Sequence, residues 1–142
     1  MKKRILLIFI SLLLVTACTK ETANTKENNK IMSDIKVIIN NKTYKLNLED
    51  NETTKEFINI LPQEFNMDEL NNNEKYVYLD KSLPKNSYNP NHIEKGDVML
   101  YGDNCLVIFY QSFNTSYSYT KIGHIDNLDD LGNGTIIARF EE

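Results

Sequence analysis

GDVMLYGDNCLVIFYQSFNTSYSYTKIG, residues 96–123, decides how this chain folds. Residues 97–101 and 105–110 are apolar runs rich in β-branched and aromatic side chains, each too short for a stable helix. Gly102-Asp103-Asn104 between them are turn-formers, so the two runs read as an antiparallel pair. A polar aromatic segment follows, and then a third strand over 122–126. The stretch is the densest apolar region outside the N-terminus, and it holds four of the eight tyrosines: Tyr101, Tyr110, Tyr117 and Tyr119.

Upstream, Ile35, Val37 and Ile39 alternate along one run, and Tyr44, Leu46 and Leu48 along the next, with Asn40-Asn41-Lys42 between them. That pattern predicts a β-hairpin. Asp50-Asn51 offers an N-cap, and Glu52 stands in a first turn, where the helix dipole favours an acid. Phe57, Ile60 and Leu61 recur at helical spacing and Pro62 ends the run, so 51–61 is predicted as one amphipathic helix lying on the sheet. Residues 63–67 read as a short strand, 68–73 as a polar turn, 74–79 as a strand, and 80–90 as a loop punctuated by Pro84 and Pro90. Downstream, 128–131 suggests a helical turn ending near Gly132, and 135–140 a final strand. About seven or eight short strands and one helix predict a mostly antiparallel barrel or sandwich with the helix packed at one end.

The first residues, MKKRILLIFISLLLVTAC, are of another kind. Lys2, Lys3 and Arg4 precede an apolar run that falls short of the ~20 residues needed to span a bilayer, which is the layout of an export signal. Val15-Thr16-Ala17-Cys18 resembles a bacterial lipobox. The expectation is a signal peptide over 1–17, a lipidated Cys18 with a flexible polar tether to residue 33, and a globular domain over 34–142. The protein is then exported and lipid-anchored at the bacterial cell membrane. Loss of the leader leaves 13 basic against 20 acidic residues, a net charge of −7. Such a balance excludes nucleic-acid binding and electrostatic adhesion to anionic lipid. With Cys18 acylated, Cys105 has no partner, so the fold rests on its hydrophobic core and not on a disulfide.

The chain resembles the bacterial cyclophilin-like domain family, small β-barrels related in fold to cyclophilin. The resemblance is carried by Asp50-Asn51-Glu52-Thr53 leading into Phe57, by Leu61-Pro62, Asn73-Glu74-Lys75-Tyr76 and Leu83-Pro84, and by the run from Gly96 through Gly102. Its strongest parts are Asn104-Cys105-Leu106-Val107-Ile108-Phe109-Tyr110 and Thr115-Ser116-Tyr117-Ser118-Tyr119-Thr120-Lys121-Ile122-Gly123. It implies a mainly β fold, a small closed antiparallel barrel of about eight strands with one packed amphipathic helix. It carries no settled activity. Prolyl isomerisation on such a barrel needs an arginine presented to the rotating amide. Outside the leader the only arginine is Arg139, and no Phe-His-Arg tripeptide surrounds it.

No catalytic constellation is complete. His92 and His124 are the only histidines and neither has a second ligand at metal spacing, so no metal is expected, and no cofactor either. Cys105 reads as a buried, inert thiol, because no cation near it in sequence would stabilise a thiolate. Asp129-Asp130 read as solvated charge. The aromatic residues carry more, since tyrosine offers apolar area and a polar tip together. Tyr76, Tyr78, Tyr101, Phe113, Tyr117 and Tyr119, with His124, are the candidate ligand-binding residues, and packing at the barrel end is the competing account of the same rings. Three functions follow from these readings: a tethered module binding a peptide or small molecule without chemistry, a prolyl isomerase acting on exported proteins, or an accessory lipoprotein docking on another envelope protein.

Overall fold

The computed structural model describes residues 35–142. The leader, Cys18 and the tether lie outside the described residues. Eight strands close into an antiparallel barrel in the order β1-β10-β3-β4-β7-β6-β9-β2. They are β1 (Ile35–Ile39), β2 (Lys42–Leu48), β3 (Gln63–Leu70), β4 (Glu74–Tyr78), β6 (Asp97–Tyr101), β7 (Cys105–Phe109), β9 (Thr120–Ile125) and β10 (Ile136–Glu141). A separate two-stranded pair joins β5 (His92–Ile93) to β8 (Phe113–Asn114), and the single helix is α1 (Glu52–Ile58). The expected closed barrel with one helix is therefore the fold.

Asparagines make its tight turns. Asn40 and Asn41 link β1 to β2 with φ of 51° and 62°, the left-handed values that a two-residue hairpin turn requires. Asn71 and Asn72 bring the same left-handed backbone, both at φ 55°, to the three-residue turn between β3 and β4. Closure between β2 and β9 depends on Gly123, where a Cβ would run into the Asn47 carbonyl oxygen and Leu46 Cδ1.

The interior core takes the inward residues of the barrel strands, among them Ile35, Leu46, Met67, Leu100, Ile108 and Phe140. One end is covered by α1, whose Phe57 meets Phe140 edge-on at 5.4 Å. The helix starts as the sequence predicts. Asn51 Oδ1 accepts from the Thr54 N–H at 2.9 Å, while Asn51 Nδ2 donates to the Lys121 carbonyl at 2.8 Å, so one side chain both caps α1 and docks it on β9.

Four predicted boundaries move. The helix stops at Ile58, and residues 59–61 close in tighter turns, with Ile60 N–H donating to Phe57 O and Leu61 N–H to Ile58 O. The strand predicted over 63–67 runs to Leu70, because pairing of Asp68 with Tyr76 and Leu70 with Glu74 supplies ladder bonds that polarity alone does not reveal. The strand placed over 122–126 begins earlier, at Thr120, through pairing with Leu100. No helical turn forms over 128–131. Leu128 and Leu131 are instead buried from an irregular segment, whose following glycines, Gly132 and Gly134, have positive φ.

Candidate functional site

A second apolar cluster lies on the outside of the barrel wall, separate from the interior core. Strand alternation places it there. Along β4, Lys75 and Val77 face inward while Glu74, Tyr76 and Tyr78 face outward; along β7, Leu106 and Ile108 face inward while Cys105, Val107 and Phe109 face outward. Met99 and Tyr101 extend the same wall on β6.

This wall is roofed by two antiparallel straps. The first, residues 86–93, and the second, residues 111–119, are stitched together by backbone bonds in both directions between Tyr88 and Tyr119, at 3.0 and 2.9 Å. Thr115 N–H also donates to Asn91 O, and His92 Nδ1 meets Asn114 Oδ1 at 2.7 Å. Phe113 and Tyr119 pack down onto Phe109 with ring centroids 5.6 and 5.4 Å away. The second strap does not reach the β3–β4 turn, and a cavity of about 310 Å³ remains open between them.

The cavity brings together Tyr76, Tyr78, Tyr101, Phe113, Tyr117 and Tyr119, six of the seven side chains singled out in the sequence. Tyr76 and Tyr78 meet edge-to-face at 6.0 Å, and Tyr101 meets Tyr117 in the same way at 6.1 Å. Tyr119 is buried, whereas Tyr78 is 66% and Tyr117 61% exposed. Of the six exposed large apolar side chains among the described residues, Leu70, Tyr78, Tyr101 and Tyr117 line this one cavity, so exposed apolar surface is concentrated there.

His124 stands apart. Asp97, its cross-strand neighbour, lies four residues from Tyr101 along β6, about 13 Å at strand rise. His124 Nδ1 meets the buried Asp97 Oδ1 at 2.9 Å, Lys121 Nζ reaches the same oxygen at 3.1 Å, and the Glu94 N–H donates to Asp97 Oδ2. The carboxylate is fully engaged in tying β9 to the start of β6, and among the described residues no serine, threonine or cysteine hydroxyl or thiol is bonded to the imidazole. Asp129 and Asp130 are not merely solvated. Asp129 accepts from Lys42 Nζ at 2.8 Å and Tyr44 Oη at 2.9 Å, and Asp130 accepts from the Gly132 N–H at 2.8 Å.

Sequence reasoning missed Glu74 and Asn73 as cavity residues. The signal was present in Glu74-Lys75-Tyr76-Val77-Tyr78, where a period of two puts Glu74 on the tyrosine face. Burial, reinforced by the nearby Glu69 charge, pushes the Glu74 carboxyl up to about 7. Burial and then Glu74 push the Cys105 thiol up to about 11, which leaves it neutral and unreactive at ordinary pH, as its sequence setting suggests. Among the described residues no cluster of histidine, cysteine and carboxylate side chains could hold a metal. Arg139 is exposed on β10 and gives two bonds to Glu141 Oε2, at 3.0 and 2.6 Å, so it does not reach the aromatic cavity.

A small closed barrel with an aromatic cavity on its outer wall defines the class: a β-barrel domain offering a concave aromatic surface. The family profile described as the cyclophilin-like family matches residues 37–141, and the chain belongs to that family. No curated protein and no solved structure matches the chain.

Proposed function

We propose that this protein is an exported lipoprotein, held at the bacterial cell membrane through Cys18, whose cyclophilin-like barrel binds a peptide or small molecule in the outer aromatic cavity without transforming it. One observation carries the binding reading: six aromatic side chains from three separate parts of the chain converge on one open cavity of about 310 Å³. That volume sits at the lower end of ligand sites, which run from roughly 300 to 1,000 Å³. Rings packed only for stability bury their faces, but Tyr78 and Tyr117 leave most of theirs in water. The anchor is supported by residues 1–18, where a basic start, a short apolar run, small residues and a cysteine occur in that order.

The isomerase reading loses support from the position of Arg139, the residue it would need. The test is a titration of isotope-labelled protein in non-ionic micelles with an Xaa-Pro peptide and with small fragments, followed by amide shifts and cis/trans exchange peaks. Shifts confined to Tyr76, Tyr78, Tyr101 and 113–119, without exchange peaks, are expected. Exchange peaks would make the protein an isomerase, and an absence of shifts with every ligand would remove the cavity as a site. For the anchor, Cys18→Ala should abolish lipid labelling and leave an unprocessed precursor; undiminished labelling would sink that part of the proposal.

A further inference from the structure

The binding reading leaves the ligand's chemistry open, and Glu74 narrows it. This carboxyl lines the cavity beside Tyr76 and Tyr78, and no described residue gives it a hydrogen bond or an ion pair. Among the described residues no lysine or arginine lines the cavity. Beside Glu74, Asn73 holds the only buried side-chain oxygen without a hydrogen bond among the described residues, its Oδ1. The polar end of the cavity therefore offers two unpartnered acceptor groups and, among the described residues, no cation to meet them. The other walls are tyrosine rings set at right angles, 87° between Tyr101 and Tyr117 and 81° between Tyr76 and Tyr78, so ring faces and edges surround the space from several directions. Ring faces carry negative potential and attract cations, most of all cations with apolar substituents that lose little hydration on entry. The whole chain adds to this with a net charge of −4.

Resting on the binding reading, we propose that the cavity takes an organic ammonium cation bearing small alkyl groups, with Tyr78, Tyr101 and Tyr117 around the alkyl groups and Glu74 as the counter-charge. A space of about 310 Å³ corresponds to roughly ten water volumes at ~30 Å³ each, enough for a free quaternary amine or for the end of one methylated lysine side chain. Both carry the same headgroup chemistry. The occupant fills the one charge vacancy that the fold leaves beside its aromatic wall.

The decisive comparison is between choline and 3,3-dimethyl-1-butanol, which has the same shape without the charge, titrated into the full-length protein in non-ionic micelles and read by amide shifts. Choline should shift Tyr78, Tyr101 and Tyr117 and bind about tenfold more tightly than the neutral compound. Glu74→Gln should weaken choline about fivefold and leave the neutral compound unchanged. Tyr78→Ala, at an exposed ring, should weaken choline as well, and it serves if Glu74→Gln fails to fold. Choline does not titrate, so its affinity should fall as pH drops below about 7, where Glu74 takes up a proton, and should level at the Glu74→Gln value. The other ionisable groups facing Glu74 are Glu69, which is bound by Lys75 and Tyr110, Cys105 and Tyr119, both held above their usual values by burial, and the phenols of Tyr76, Tyr78, Tyr101 and Tyr117. A profile that persists in Glu74→Gln would therefore overturn the role of Glu74. A peptide with one trimethyllysine separates the sources: tighter binding than choline favours a protein side chain, and weaker binding favours a free amine. Equal affinity for choline and the neutral compound overturns the proposal and leaves the cavity a neutral-ligand site. No shift with either also overturns it, and the peptide and fragment titration then decides the binding reading by itself.

Discussion

Glu74 and Lys75 are adjacent on β4 and face opposite sides of the barrel wall, and they live under opposite conditions. Lys75 points inward and is 0% exposed. Its ammonium has three donors and three oxygen partners: Glu69, with the Gly132 and Gly134 carbonyls at 2.6 Å each. The ring of Tyr110 lies 5.0 Å away, and Tyr110 Oη donates to the other Glu69 oxygen at 2.8 Å. Glu74 points outward into the aromatic cavity with no partner among the described residues. A buried charge is tolerated when its partners are complete and is costly when they are not. The interior pair is a finished structural device, a clamp that holds the irregular segment over 126–134 against the barrel end. The exterior carboxyl is unfinished, and an unfinished polar group at the edge of a cavity is what a ligand can complete.

The largest expected effect breaks the interior side. Lys75→Ala strands Glu69 and two glycine carbonyls and should cost about 3–5 kcal/mol in denaturant unfolding, whereas Lys75→Met, which keeps the side-chain volume, should cost less. A loss under about 1 kcal/mol for the alanine variant would mean that the clamp is decorative. The next effect sharpens the exterior side. Glu74 has a folded-state value near 7, above its ordinary 4.5, so the folded chain holds the proton more tightly than the unfolded one. The contribution of Glu74 to stability should therefore be full below pH 4.5, fall between 4.5 and 7, and be absent above. Glu74→Gln should remove that slope and raise stability at pH 8 by about 1 kcal/mol, a value kept small because the carboxyl is partly solvated. Unfolding curves at pH 5 and pH 8 check this, and parallel losses in both proteins would assign the slope to other groups. The smallest effect on stability belongs to the cavity rim: Tyr78→Ala and Tyr117→Ala should each shift unfolding by no more than about 0.5 kcal/mol. A larger loss would return those rings to the category of core packing and weaken the binding reading.

Much of the barrel was legible along the chain because its strands alternate cleanly. Ile35, Val37 and Ile39 needed only a period of two, and Asn51 announced the cap of α1 by residue type. The missed boundaries share a cause. Asp68 to Leu70 look like turn residues in isolation, and only pairing with β4 makes them strand. The pairing of His92 with Asn114 is a contact across 22 residues between two-residue strands, too short for any periodicity to show. Phe113, Tyr117 and Tyr119 were recognisable as ligand-type chemistry from their mixture with serine, threonine and asparagine, and Tyr76, Tyr78 and Tyr101 as tyrosines on other strands that could meet them at one face. His124 joined them because its alternation with Ile122 and Asp126 allowed it the barrel's outside or mouth, and its bond to Asp97 at the far end of β6 separates it from them.

The sequence by itself determined the layout of the chain: a basic and apolar N-terminal segment unlike the rest, an acidic remainder, a mainly antiparallel sheet and one capped helix. These follow from local composition and periodicity, which act over a few residues and need no distant partner. Only the tertiary structure decided which face of the sheet each tyrosine occupies relative to the others, and that the straps over 86–93 and 111–119 roof an outer wall while leaving the cavity open. It also decided that Lys75 is satisfied and Glu74 is not. Closing the sheet turns alternation into an inside and an outside, and from that moment the same local pattern gives two adjacent residues opposite surroundings.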